Sequence, residues 1–327
     1  MKLIETTQAV GHVLCHDMTQ IIPGVTKDAR FRKGHVVTEE DIPVLLSMGK
    51  EHLYVWEKTP GMLHENEGAE RLRAICQGAS MRPTPVKEGK IELIAETDGL
   101  FRVDADRLAA VNSVGDVIVA TRHTNTAVRA GDKLAGMRVV PLVIPEETLA
   151  AAEQAAGEEP LLSLTPWKRR TAAIIATGSE VQKGLIEDRF TPVVQAKLAD
   201  FGVRTICTAI HAARDQGAEI VLCTGGMSVD PDDRTPGAIR AAGPRIVTYG
   251  APVLPGAMLL VGYFDDGTPI LGLPGCVMYA KASVFDLLLP QIVADVPIRR
   301  EEIVRMGEGG LCLGCGHCHF PNCGFGR

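Results

Sequence analysis

Aromatic residues make up only 4% of the 327-residue chain, and no apolar run approaches the roughly 20 residues that a membrane span requires. There is no basic excess. The formal net charge is −6, and without a cationic footprint nucleic acid is excluded as the main partner. The opening "MKLIETTQAV" has neither the basic nor the apolar region of a signal peptide, so the expected location is the cytoplasm. Internal repeats and low-complexity tracts are missing. So is the cysteine distribution of a disulfide-stapled secreted domain. Of nine cysteines, Cys15, Cys76, Cys207, Cys223 and Cys276 are scattered, mostly in apolar surroundings where a thiol behaves as a small hydrophobe. The other four crowd the last sixteen residues, a split that fits a reduced compartment and a separate metal-binding tail.

What is present divides the chain into five parts. Residues 1–88 read as a mixed α/β unit, with extended "GHVLCHDMTQI", a strand in "FRKGHVV" and a helix over "TEEDIPVLLSMGK" that starts at Thr38. "EHLYVWE" follows as a strand and "HENEGAERLRAICQGA" as a helix with Leu72, Ile75 and Cys76 on one face. Residues 89–150 change to short β runs separated by turn signals such as Asp98-Gly99 and Gly131-Asp132, the pattern of a small β domain. Residues 151–169 form a linker; the acidic, alanine-rich "PEETLAAAEQAAGEEP" that leads into it is compatible with a helix. Residues 170–298 alternate unbroken apolar strands with helices, which indicates a mostly parallel, doubly wound α/β sheet. Residues 299–327 are the cysteine-rich tail.

Three strands of the fourth part run into glycine turns: "IIATGSE" (174–180), "VLCTGGMS" (221–228) and "LGLPGC" (271–276). In an open parallel sheet, ligands bind beyond the carboxyl ends of the strands. Glycine there lets the backbone approach a ligand and aim N–H groups at an anion. Beside these turns stand Glu180, Asp188, Asp230, Asp232 and Asp233. Carboxylates repel a phosphate unless a cation lies between them, and Mg²⁺ is the usual cation. A phosphorylated ligand with Mg²⁺ explains why acid and glycine share an edge. In the stretch "VLCTGGMSVDPDDRTPGAI", Gly225 and Gly226 open room, Ser228 offers a hydroxyl, and Asp233 with Asp230 or Asp232 serves the cation.

The series "ATGSE…GLIEDRF…TGGMSVDPDDRTPGAI…LGLPGCVMYAKASVFDLLLP", over 170–292, resembles the molybdopterin-binding domain shared by molybdopterin molybdotransferase and molybdopterin adenylyltransferase. The resemblance implies a role in molybdenum-cofactor synthesis, with a pterin phosphate and an adenylate (ATP or AMP) on the edge, molybdate as a further substrate, and oligomerisation. It places Gly178, Glu180, Asp188, Gly225, Gly226, Ser228 and Asp233 along that edge. The site expected on this basis has Asp188 and Asp233 as catalytic carboxylates and Glu180, Asp230 and Asp233 as Mg²⁺ ligands. Thr177, Gly178, Ser179, Glu180, Thr224, Gly225, Gly226, Ser228, Pro274, Gly275 and Cys276 contact the pterin. "GHVLCHD", "FRKGHVVTEEDIPVLLSMGKEHLYV" and "VRAGDKL" are more faintly similar to accessory domains of the molybdotransferase.

The chain departs from that family at Ser179, where an aspartate is usual, and at Cys276, where "GLPGNP" becomes "GLPGCV". It also departs between Gly202 and Thr224. That interval is too short for two full parallel strands with a crossover of a dozen or more residues. Either the first strand is very short and "CTAIHAARDQ" forms the helix, or the layer is abbreviated. These departures leave two readings open, a transferase that inserts molybdate and a non-catalytic carrier, chaperone or sensor serving a molybdoenzyme. A nucleotide hydrolase or deamidase on the same fold is a third.

In the tail, Cys312, Cys315, Cys318 and Cys323 have the spacing C-x₂-C-x₂-C-x₄-C. Gaps this short can bring several thiolates around one centre, an iron–sulfur cluster or Zn²⁺, with His317 or His319 as substitute ligands. Cys276 is expected at a helix N-terminus, where a thiol pKa falls, with Lys281 one turn further on. His35, His52 and His64 are expected in surface or capping roles.

Overall fold

A computed structural model describes the chain except residues 1, 23–25, 56–59, 178–186, 208–209, 228–232 and 327, and except the side chains at 22, 26, 27, 207 and 211. It divides into two compact units. The first comprises 1–97, 102–124 and 129–164, and the second comprises 98–101, 125–128 and 165–327.

In the first unit, strand Lys2–Glu5 pairs antiparallel with His52–Val55, and Met18–Ile22 pairs antiparallel with Thr26–Phe31. With helix Asp41–Ser47 they enclose a small core of Leu14, Met18, Phe31, Leu45, Leu53 and Val55. The helix begins at Asp41 rather than at Thr38. The Thr38 N–H and hydroxyl both donate to the Asp41 carboxylate (2.8 Å each), which also meets His35 Nε2 at 2.7 Å. A second, four-stranded sheet has the order Met81–Pro83, Lys90–Ala95, Lys133–Val139, Val117–Thr121 and is antiparallel throughout. Helix Glu65–Cys76 packs on it with Gly68 turned inward. A Cβ at that position would stand 2.8 Å from Val139 Cγ1. His64 caps this helix, accepting the Asn66 N–H at 3.1 Å, in keeping with the capping role expected of it. Two further helices lie in this region, Ala105–Asn112 and Glu146–Ala156. The first interrupts what reads in sequence as consecutive strands.

The second unit is built on a six-stranded sheet. Its strands are labelled in chain order: β1 (Thr171–Ala176), β2 (Arg204–Cys207), β3 (Ile220–Thr224), β4 (Arg245–Tyr249), β5 (Leu260–Tyr263) and β6 (Pro269–Leu273). Their order in the sheet is β2-β1-β3-β6-β5-β4. The first four are parallel, β5 is antiparallel to β6, and β4 is antiparallel to β5. The fold is therefore mixed α/β, with a parallel block and an antiparallel flank. β3 and β6 are buried along their whole length, which is why their sequences are unbroken apolar runs.

Alternate strand residues feed two cores. Ala172, Ile174, Ile220, Leu222 and Leu271 pack with Val194 and Leu198 of α1 (Phe190–Ala199) and with α4 (Val284–Val293). Ala173, Ile175, Val221, Cys223 and Ile270 pack with Ala213 of α2 (Ile210–Asp215) and Ile239 of α3 (Thr235–Ala241). Fully burying one such aliphatic side chain is worth about 1.5–3 kcal/mol. In the abbreviated interval, the first alternative holds: β2 has four residues and α2 has six. Helix α5 (Arg300–Arg305) precedes the tail.

Candidate functional site

The parallel register sets the strand exits level. Ala176 pairs with Thr224, and Thr224 with Leu273, so the three glycine turns leave the sheet at one edge. At its centre, Thr177 closes the gap between two of them. Its N–H donates to Thr224 O (2.8 Å), and its hydroxyl lies 2.9 Å from both Thr224 O and Gly225 O and 2.6 Å from Thr235 Oγ1. A hydroxyl has one proton to give. Thr177 therefore donates to a carbonyl while accepting from Thr235, and the exits of β1 and β3 are tied to the start of α3. Thr224 and Thr235 are both buried and Thr177 is half-buried, so the network lies at the base of the edge.

Gly225 and Gly226 both have positive φ, 90° and 56°. At Gly226 the requirement is steric as well, because a Cβ would stand 2.7 Å from Thr235 Oγ1 and 3.5 Å from Asp233 Oδ1. The same geometry puts the Asp233 carboxylate beside the turn. The next residue, Met227, is buried, and its thioether occupies the space over Gly272 in β6, where a Cβ would meet its Sδ and Cε at 2.5 Å. The Tyr249 hydroxyl at the end of β4 donates to Met227 O (3.2 Å). β4 went unrecognised in sequence because "RIVTY" mixes charge and polarity and buries only Thr248.

Asp188 lies just before α1. Its Oδ1 accepts the N–H groups of Phe190 (2.9 Å) and Thr191 (3.0 Å), and its Oδ2 accepts the Thr191 hydroxyl (2.5 Å). Burial pushes its pKa upward, but these hydrogen bonds outweigh it and hold the carboxyl below the usual aspartate range. Gly178, Ser179, Glu180, Ser228, Asp230 and Asp232 lie outside the described residues.

Two expectations at the third turn are corrected. Residues 275–278 form a 3₁₀ turn rather than the start of a helix, and α4 begins only at Val284. The reason is local. The Ser283 N–H and hydroxyl both bind the Asp286 carboxylate (2.8 and 3.0 Å), which fixes the helix start there. Cys276 consequently gains no helix terminus, and burial raises its thiol pKa instead of lowering it. Lys281 is exposed and precedes the helix rather than lying one turn inside it. Cys223 is a buried strand thiol pushed up to about 12 by burial.

The four tail thiols are free, with Cys315 exposed and Cys312, Cys318 and Cys323 half-buried. They do not converge: among the described residues, no group of three or more His, Cys, Asp or Glu is placed to hold a metal ion. No helix among the described residues is long and apolar enough to cross a membrane.

The edge, its tied threonine network and its glycine turns lie inside a segment with known relatives. Residues 173–294 match the family described as "Probable molybdopterin binding domain". The molybdopterin-binding-domain match ends before the tail, and residues 3–57 match a different family, described as a domain of unknown function (DUF8806). No curated protein matches the chain. Among solved structures, it is similar to the molybdopterin biosynthesis Mog protein from Mycobacterium ulcerans, at 20% identity over 38% of this chain and 92% of that one, TM-score 0.30. It is also similar to the tungsten cofactor synthesizing protein MoaB from Pyrococcus furiosus, at 18% identity over 38% and 91%, TM-score 0.30. The protein CinA, of unknown function, from Thermoplasma acidophilum is similar at 16% identity over 38% and 99%, TM-score 0.32.

Proposed function

We propose that the second unit binds molybdopterin or its adenylate at the carboxyl edge of its sheet, in molybdenum-cofactor biosynthesis. The observation that carries this reading is the meeting of Thr177, Gly225, Gly226 and Asp233 on one edge of a domain matched by the molybdopterin-binding family. In this reading the fold is doubly wound, since helices pack on both faces of the sheet, and it occupies residues 170–298 of a five-part chain.

The roles follow the chemistry of each group. Gly225 and Gly226 let the backbone come close to the pterin phosphate, with Thr177, Gly178, Ser179, Thr224, Ser228, Pro274, Gly275 and Cys276 around it. The residues present suit Mg²⁺ at Asp233, whose carboxylate stands beside the turn, with Glu180 and Asp230 completing an oxygen donor set. Bound there, Mg²⁺ would neutralise phosphate charge. Asp188 has already given much of its accepting capacity to α1, so it acts through the lone pairs that remain. ATP or AMP and molybdate are the proposed co-substrates of a transferase in a cytoplasmic homo-oligomer. The C-terminal iron–sulfur or zinc centre is a separate chemistry that this binding does not need.

A carrier or sensor that delivers the pterin to a molybdoenzyme is the second reading. The four-residue β2 and six-residue α2 favour it, because they lie in the interval where the chain departs from the resembling enzymes. Anaerobic titration with molybdopterin and Mg-ATP separates the two. AMP release on adding molybdate establishes insertion, whereas pterin binding without nucleotide chemistry establishes a carrier. Asp233→Asn should weaken pterin binding about tenfold or more and remove its Mg²⁺ dependence. Unchanged affinity with intact Mg²⁺ dependence would refute the site.

A further inference from the structure

We propose that Cys312, Cys315, Cys318 and Cys323 close around one thiophilic metal centre, and that this centre forms on the same edge of the sheet as the ligand turns.

The placement follows from topology. β4 is antiparallel to β5 and β5 to β6, so β4 runs in the direction of β6 and Tyr249 leaves the sheet at the ligand edge. The Tyr249 bond to Met227 O ties that exit to the glycine turn. From Gly250 the chain crosses toward the start of α4, where Pro255 O accepts the Val284 N–H at 3.1 Å. The tail docks on this crossing. Leu254 N–H donates to Gly310 O and Cys312 N–H donates to Leu254 O, each at 2.8 Å. At its far end, Gly326 N–H returns to Gly309 O (2.9 Å), and Phe325 is buried in the core cluster that also holds Val277, Ala282 and Val284. The cysteine loop is therefore pinned at both ends beside the 274–283 turn.

Between the pins the loop has no helix and no strand. Leu311 and Leu313 are 62% and 83% exposed, while Cys312, Phe320 and Cys323 rest against the domain core beside Phe325. The loop also carries four free thiols and the edge-to-face imidazoles of His317 and His319, whose ring centroids are 5.1 Å apart. A short segment with no helix or strand gains from a staple. Paired ends, glycines at 314, 316 and 324, and four thiols in C-x₂-C-x₂-C-x₄-C spacing suit a site that a metal draws together, with metal binding supplying the energy of closure. Closure costs one proton from each thiol, released to solvent as each sulfur–metal bond forms. With zinc nothing is oxidised or reduced. A cluster requires iron and sulfide from an assembly system, which also accepts the electrons lost where ferrous iron becomes ferric.

The metal assignment stands alone; only its placement beside a ligand rests on the function proposed above. The full chain, purified anaerobically and then reconstituted with Zn²⁺ or with ferric iron, sulfide and a thiol reductant, is analysed for metal and for visible absorption. Zinc in about one equivalent without colour identifies a tetrathiolate site, and iron with matching sulfide and a charge-transfer band identifies a cluster. Cys315→Ser and Cys318→Ser should each weaken retention tenfold or more. Absence of both metals, or equal retention in the variants, overturns the metal centre. For the placement, the rate of metal loss to a chelator is measured with and without molybdopterin. A change of threefold or more, absent in Asp233→Asn, supports a shared edge. An unchanged rate in a protein that binds the pterin overturns the placement. If the pterin does not bind at all, the functional reading and the placement fall together, and the metal result still stands.

Discussion

Two regions on the second unit are rich in groups that can hold a ligand, and they are built differently. At the exits of β1 and β3, Thr177, Thr224, Gly225 and Thr235 are joined at 2.6–2.9 Å, and the turn is fixed before anything binds. Between Cys312 and Cys323 the donor groups are more numerous, yet the loop has no helix or strand; its ends are hydrogen-bonded, Phe320 rests against the core, and Asn322 N–H donates to His319 O (2.7 Å). The first arrangement places its conformational cost in the folding of the domain. The second leaves that cost to the binding event. Preorganisation suits a ligand gripped by a few backbone N–H groups, whereas a metal with four strong sulfur bonds can order its own site.

Substitutions at the two regions should therefore differ in what they damage. The largest stability loss is expected for Gly226→Ala, which places a methyl against Thr235 Oγ1 at a positive φ. A cost of about 1–3 kcal/mol should appear in denaturant unfolding. Thr235→Val should cost about 1–2 kcal/mol, because it leaves the Thr177 hydroxyl without its donor. Equal stability of Thr235→Val and the parent would mean that the network does not tie the edge. Cys315→Ser should leave the metal-free protein within about 0.5 kcal/mol of the parent, since its side chain is exposed, while removing metal. A melting-temperature drop in the metal-free variant would show that the loop is structural before it is loaded.

The smallest effect concerns pH. The Asp188 carboxyl is held below its usual range in the folded state, so its contribution is fully present above the ordinary aspartate pKa. It is lost as pH falls through the folded value. Stability of the parent and of Asp188→Asn should therefore differ near neutral pH and converge in strong acid. Parallel curves would remove Asp188 from the helix start.

Much of the parallel block was legible because β1, β3 and β6 are buried on both faces and have no polar residue in their interiors. Level glycine turns followed from parallel direction alone. β4 was not legible, since its residues are mostly half-exposed and its direction depends on pairing with β5. The threonine network was hidden for another reason: Thr177 and Thr235 are far apart in sequence, and a threonine carries no periodic signal. Cys276 does not open a helix because Ser283 and Asp286 set the helix start later. The capping role of His64 was legible from its place before a helix. The bond of His35 to Asp41 was missed although both flank the same helix start. The tail's spacing points to the metal chemistry proposed above, but no feature of spacing could show which exit of the sheet it docks against.

The thioether of Met227 lying over Gly272 has an evolutionary consequence. The two positions share one volume, one in the turn and the other in the neighbouring strand, so they cannot both be large. Relatives with a side chain at the second should shorten the first, and the paired change Met227→Ala with Gly272→Ala should be tolerated better than Gly272→Ala alone. Drift at the glycine turn is thereby coupled to drift in a buried strand that touches no ligand.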